Sequence, residues 1–123
     1  MQNIEWSKLP FGYYPTNYNV RCYYRNGQWG EIEVSSETTV NIHMAATCLH
    51  YGQEAFEGLK AYRCPDGKVR VFRMDENAAR LQSSCRGIMM PEMPTEKFEE
   101  MVSKVVRLNE AYIPPYESGA SLY

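Results

Sequence analysis

The sequence predicts an α+β domain: a mostly antiparallel sheet with two helices packed on one face. Three observations predict it. An alternating run closes at Asn26-Gly27, a second strand pair is separated by Cys64-Pro65-Asp66-Gly67, and two helical stripes follow. Strands precede helices, which is the order of an α+β layer rather than of repeated βαβ units.

Residues 1–17 carry Pro10 and Pro15 among aromatics and read as an extended N-terminal arm. In 18–25, Tyr18, Val20, Cys22 and Tyr24 share one face of a strand. Asn26-Gly27 fits a two-residue hairpin turn, whose central positions both need positive φ. Trp29, Ile32 and Val34 lie on the returning strand, and the parity slip between Trp29 and Ile32 points to a bulge at Gly30. Residues 38–43 read as a weak further strand, and 57–63 with 68–73 as a second hairpin. Asp75 is placed to cap a helix whose apolar stripe is Ala78, Leu81, Cys85 and Ile88, with Met90-Pro91 ending it. Thr95 is placed to cap a second helix with Phe98, Met101, Val102, Val105 and Leu108 on one side, closed by Pro114-Pro115. Its glutamates come early and its basic residues late, as the helix dipole favours. Residues 119–123 read as a turn entering a new strand, so the chain is expected to be cut from a longer one.

A chain of 123 residues fits one domain. The net charge of -2 provides no basic field for nucleic acid. No apolar stretch approaches the ~20 residues of a membrane span, and the N-terminus lacks the pattern of a secretory signal, so a cytoplasmic protein is expected. Cys22, Cys48, Cys64 and Cys85 are scattered without a CxxC pair, which implies free thiols rather than a disulfide framework or a zinc site. His43 and His50 lack a third ligand and read as structural or surface residues, with no metal expected.

The most informative segment is 49–62. Tyr51 and Phe56 stand five apart in a run that also holds Gly52 and Gly58. Glycines allow tight turning or close backbone approach, and the aromatics offer broad apolar faces. The pattern suits a pocket wall for a small apolar side chain, or equally a loop whose aromatics plug the core.

Segment 49–62 resembles the N-terminal signature of the branched-chain amino-acid aminotransferases, fold-type IV enzymes that use pyridoxal 5'-phosphate. Phe72-Arg73, then Glu76-Asn77-Ala78-Ala79-Arg80-Leu81 and Met90-Pro91, resembles the family's next block, and Ser121-Leu122-Tyr123 the start of a third. The resemblance implies that residues 18–123 are the small N-terminal domain of a longer enzyme, ending before the large cofactor-bearing domain. It implies that Arg80 binds the cofactor phosphate, which suits a guanidinium fork. Without the resemblance, Arg80 reads as an exposed helical arginine in an ion pair. Phe56 matches an aromatic of the substrate side-chain pocket, and Gly58 a position where backbone borders it. Tyr51 matches a tyrosine that reaches the neighbouring subunit's site in the family's homodimer. Tyr123 matches one at the pocket mouth, or else simply leads a core strand.

The family's catalytic lysine and the acidic partner of the pyridine nitrogen match no position here, and Lys60 corresponds to a non-catalytic one. These residues alone are therefore expected to be inactive and not to retain the cofactor. The activity implied for the full-length enzyme is transfer of the amino group of leucine, isoleucine or valine to 2-oxoglutarate. The Tyr51 and Tyr123 hydroxyls are candidate handles for the glutamate carboxylate. Two other readings stand: a D-amino-acid transaminase or aminodeoxychorismate lyase relative, and a non-catalytic binding or oligomerisation module.

Overall fold

The computed structural model describes residues 3–123, so the first two residues of the expected arm lie outside the described residues. The architecture is α+β, with short antiparallel strand pairs and two long helices. Strand β1 (Asn19–Arg21) pairs with β4 (Glu33–Ser35), and β2 (Tyr24–Arg25) with β3 (Gln28–Trp29), all in one long hairpin. Asn26 and Gly27 turn it, with φ of 53° and 78°. The expected bulge is present. Between the pairs Tyr24↔Trp29 and Arg21↔Glu33, two residues (Cys22 and Tyr23) face three (Gly30, Glu31 and Ile32). The Gly30 N–H donates to the Tyr23 carbonyl at 2.8 Å, and the Cys22 thiol to the Gly30 carbonyl at 3.3 Å.

The expected strand over 38–43 does not form. Arg21 takes its place as a partner, with Nη2 donating to the carbonyls of Glu37 (2.6 Å) and Thr39 (3.0 Å). The Thr39 carbonyl, within the expected strand, is thus bonded to a side chain rather than to a neighbouring strand. A short helix α1 (Thr47–His50) follows, and 52–60 run without regular structure. The second hairpin is shorter than expected, with β5 (Ala61–Arg63) against β6 (Val69–Val71). On its other edge Ala61 exchanges two backbone hydrogen bonds with Leu122, at 2.8 and 3.1 Å, so the segment at 119–123 does begin a strand pairing. The sheet is thus present as separate two-stranded pairs rather than one continuous layer.

Helix α2 (Met74–Gly87) begins one residue before Asp75, which lies within the first turn and does not cap it. Arg73 stands at the cap position with φ 48° and ψ 49°, and its guanidinium pairs with Glu76 at 3.1 Å. The helix stops at Gly87, ahead of Met90-Pro91, because Met89 turns left-handed (φ 59°) and the Met90 N–H reaches back to the Cys85 carbonyl. Helix α3 (Thr95–Leu108) begins on Thr95, after Pro94. The Thr95 hydroxyl is no cap either: it accepts from Gln82 Nε2 at 3.1 Å, and the same amide donates to the Met93 carbonyl at 2.8 Å. The two helices pack on each other and α3 packs on β1. Ala61, Ala78, Cys85, Phe98 and Ile113 form the fully buried core. The four cysteines are free.

One buried polar group joins the arm to the helices. Asn109, 3% exposed, accepts the N–H groups of Asn17 and Tyr18 at 3.1 Å each. Its amide nitrogen donates to the carbonyls of Tyr18 and Val105, both at 2.9 Å. Replacing it strands several polar groups at once, and unsatisfied buried groups are expensive. Asn109→Ala is expected to lower stability by about 2–4 kcal/mol. A fall in the urea midpoint at unchanged slope is the expected result, and an unmoved midpoint refutes the anchoring role.

Candidate functional site

Helix α2 presents Asn77 and Arg80, three residues apart and therefore on one face, toward the irregular segment before β5. Arg80 forms a two-bonded fork with Glu57: Nε donates to Oε1 and Nη2 to Oε2, each at 2.7 Å. The partners differ sharply in exposure, the Arg80 side chain at 67% and that of Glu57 at 5%. Asn77 Nδ2 donates to Glu57 Oε2 at 3.0 Å and to the Gly58 carbonyl at 3.1 Å. The carboxylate is therefore fixed by two side chains of one helix, and the backbone beside it is fixed by the same amide.

Hydrogen bonding from Arg80 holds the Glu57 carboxyl below its ordinary value of 4.5, against the opposing effect of burial, with Asn77 adding to the lowering. In turn the carboxylate raises the Arg80 guanidinium above its ordinary value. A shared carboxylate with two good donors stays charged although little of it meets water.

Gly58 leads into a shallow open hollow of about 360 Å³, lined by Gly58, Lys60 and Tyr62 along one side, by Phe72 and Asn77, and by Tyr123. The Tyr123 ring lies directly on Gly58: a Cβ there would stand 2.8 Å from the phenol oxygen and 3.1 Å from the nearest ring carbon. Only a residue without a side chain admits that approach.

Of the five residues singled out from sequence, Gly58 and Tyr123 are in contact, and Arg80 is one residue removed from them through Glu57. Tyr51 and Phe56 stand apart, each 84% exposed and neither in the wall of the hollow. They do not plug the core. Sequence reasoning overlooked Glu57 and Asn77. The available signal was an acid adjoining the close-approach glycine, and an amide one turn before the arginine. Among the described residues no three His, Cys, Asp or Glu side chains are grouped to hold a metal ion. No helix of the described residues is long and apolar enough to cross a membrane.

Asn77 is the residue common to both features: it lines the hollow and hydrogen-bonds the carboxylate that fixes the exposed Arg80 guanidinium. Comparison with known proteins finds relatives that are named aminotransferases. No family model matches the chain. It is 42% identical over 123 residues, its whole length, to the branched-chain-amino-acid aminotransferase of Haemophilus influenzae, and covers 36% of that protein. Identity and coverage are the same against the protein of that name from Helicobacter pylori. The chain is 39% identical to branched-chain-amino-acid aminotransferase 5, chloroplastic, of Arabidopsis thaliana, covering 30% of it. The resemblance to branched-chain amino-acid aminotransferases thus extends along the entire chain, which spans about a third of the length of the relatives it matches.

Because Glu57 is held below its ordinary value, its pair stabilises the fold above pH 4.5, and that contribution is lost as pH falls through the lowered value. Arg80→Gln removes the dominant cause and leaves burial to push the carboxyl up. The variant is expected to be less stable near neutral pH and to recover part of the deficit on acidification. Urea midpoints from neutral to acid pH, compared with the parent, check the sign. Gly58→Ala is expected to displace the exposed Tyr123 ring while changing stability by less than ~1 kcal/mol. Movement of the Tyr123 ring resonances at a nearly constant melting temperature is the signature.

Proposed function

We propose that this chain forms the small N-terminal domain, over residues 18–123 with an arm before it, of a pyridoxal-phosphate-dependent branched-chain aminotransferase. The full-length enzyme moves the amino group of leucine, isoleucine or valine to 2-oxoglutarate, works as a cytoplasmic homodimer, and has its catalytic lysine outside the chain described here. The observation that carries the reading is the end-to-end match, at 42% identity, to enzymes of that name.

The donor set fits a phosphate. Glu57 occupies the Nε–Nη2 edge of Arg80, and the Nη1–Nη2 edge remains on the exposed side of a charge that persists at every working pH. When bound, pyridoxal phosphate supplies the electron sink that amino-group transfer needs. The chain's own part is to hold the phosphate on Arg80 and to shape one wall of the substrate slot. Gly58 keeps that wall flush, and Tyr123 closes over it with its hydroxyl 2.8 Å from where a Cβ would lie. Tyr51 and Phe56 are too exposed to complete a pocket within this chain. Their faces suit a slot finished by a second domain or subunit, where burying a branched aliphatic chain is worth roughly 1.5–3 kcal/mol. The Tyr51 and Tyr123 hydroxyls are the proposed polar handles for glutamate's side-chain carboxylate.

In the full-length enzyme, Arg80→Ala is expected to weaken pyridoxal phosphate binding by about 10- to 100-fold, the scale of lost charge-assisted hydrogen bonds. Equilibrium binding to the apoenzyme measures it, and unchanged affinity removes Arg80 from the phosphate site. Changing Tyr51 and Tyr123 together to phenylalanine is expected to slow the glutamate half-reaction more than the leucine one, measured by single-turnover kinetics. Equal rates in both half-reactions would remove the hydroxyls from carboxylate recognition.

A further inference from the structure

We infer that Glu57 is a positioning residue: it holds the Arg80 guanidinium in the orientation that receives phosphate, and Asn77 ties that grip to the substrate wall at Gly58. The inference rests on the proposed role of Arg80 and adds to it a cause for that residue's geometry.

An arginine on an exposed helix face is a long, rotamer-rich side chain, and an anion site built on it alone must order it at the moment of binding. Here the ordering precedes the ligand. The two 2.7 Å bonds from Nε and Nη2 fix both the plane and the rotation of the guanidinium. A guanidinium has five N–H donors, and these bonds engage two of them, which leaves the Nη1 side free for a second two-bonded acceptor. The Glu57 carboxylate is itself a rigid reference, with its side chain 5% exposed and Oε2 also held by Asn77 at 3.0 Å. The second Asn77 bond, to the Gly58 carbonyl at 3.1 Å, fixes the backbone against which Tyr123 lies. One amide and one carboxylate thus join the anion-binding arginine to the floor of the hollow. A carboxylate that merely competed with phosphate would take the outward donors of Arg80, and this one takes the inner edge.

The test measures binding of two probes, pyridoxal phosphate and unphosphorylated pyridoxal, to the full-length apoenzyme. Glu57→Gln preserves shape but offers a single acceptor oxygen and sets an amide N–H2 against the guanidinium. It is expected to weaken pyridoxal phosphate about tenfold, the low end for groups that orient a binding residue, and to leave pyridoxal unchanged. In an Arg80→Ala background the same change is expected to have no further effect, since there is nothing left to position. Equal weakening of both probes reduces Glu57 to a structural role and overturns the inference, as does tighter phosphate binding, which is the mark of competition. A loss that persists undiminished without Arg80 overturns it too. If Arg80→Ala alone keeps the parent's preference for the phosphorylated probe, the reading of Arg80 fails, and this inference with it. Should Glu57→Gln not fold, Glu57→Asp retains the charge but withdraws the carboxylate by one methylene from the Arg80 donors, and the same split between probes is required.

Discussion

The buried amide of Asn109 is the constraint on which the arrangement depends. A polar side chain at 3% exposure is tolerated only when its donors and acceptor are matched, and here two backbone N–H groups and two carbonyls match them. Those partners belong to segments some ninety residues apart, the entry to β1 and the end of α3. Tyr112 adds a bond from its hydroxyl to Asn17 Oδ1 at 2.8 Å, and its ring meets that of Tyr14 at 6.1 Å. With α3 set against β1, the Gln82 amide sets α2 against the start of α3. Matched polar contacts thus run from Asn109 through α3 to α2, alongside the buried Ala78, Cys85 and Phe98 of the two helices.

The same economy governs the site. Three side chains, Glu57, Asn77 and Arg80, define an anion-binding direction and a backbone position, and none of them is in the fully buried core. What makes the site rigid is that its carboxylate has no freedom: it is nearly out of water, and its oxygens face donors from one rigid helix. The aromatics that open the segment, Tyr51 and Phe56, have the opposite character, being surrounded mostly by solvent. The fixed polar group and the exposed aromatics are thus separate features of the same segment.

Much of the fold was legible because it rests on local rules. Asn26-Gly27 specifies its turn through positive φ, the parity slip after Trp29 revealed the bulge, and the stripe ending at Leu108 marked α3. Errors arose where a distant side chain displaced a local preference. Arg21 bonded the Thr39 carbonyl in the expected strand over 38–43 and Gln82 claimed the Thr95 hydroxyl, while at α2 a local cause prevailed, the left-handed conformation of Arg73 that starts the helix ahead of Asp75. At the site, Arg80, Gly58 and Tyr123 could be singled out by resemblance. Glu57 had only its place beside Gly58 as a signal, and its bond to Arg80 spans 23 residues that no periodicity encodes.

The extra residue in the first hairpin has a wider effect than its size implies. Trp29, in the arm beyond the bulge, donates its indole N–H to the Glu92 carbonyl between the helices, while Lys97 reaches from α3 to the Gly30 carbonyl at 2.8 Å. Side chains alternate along a strand, so shortening 30–32 by one residue would flip the tip over like a turned page. The indole would then swing toward water and the hairpin would lose its moorings on the helical layer. A single inserted position thus decides whether the distal half of the ribbon serves as a buttress or as a loose flap.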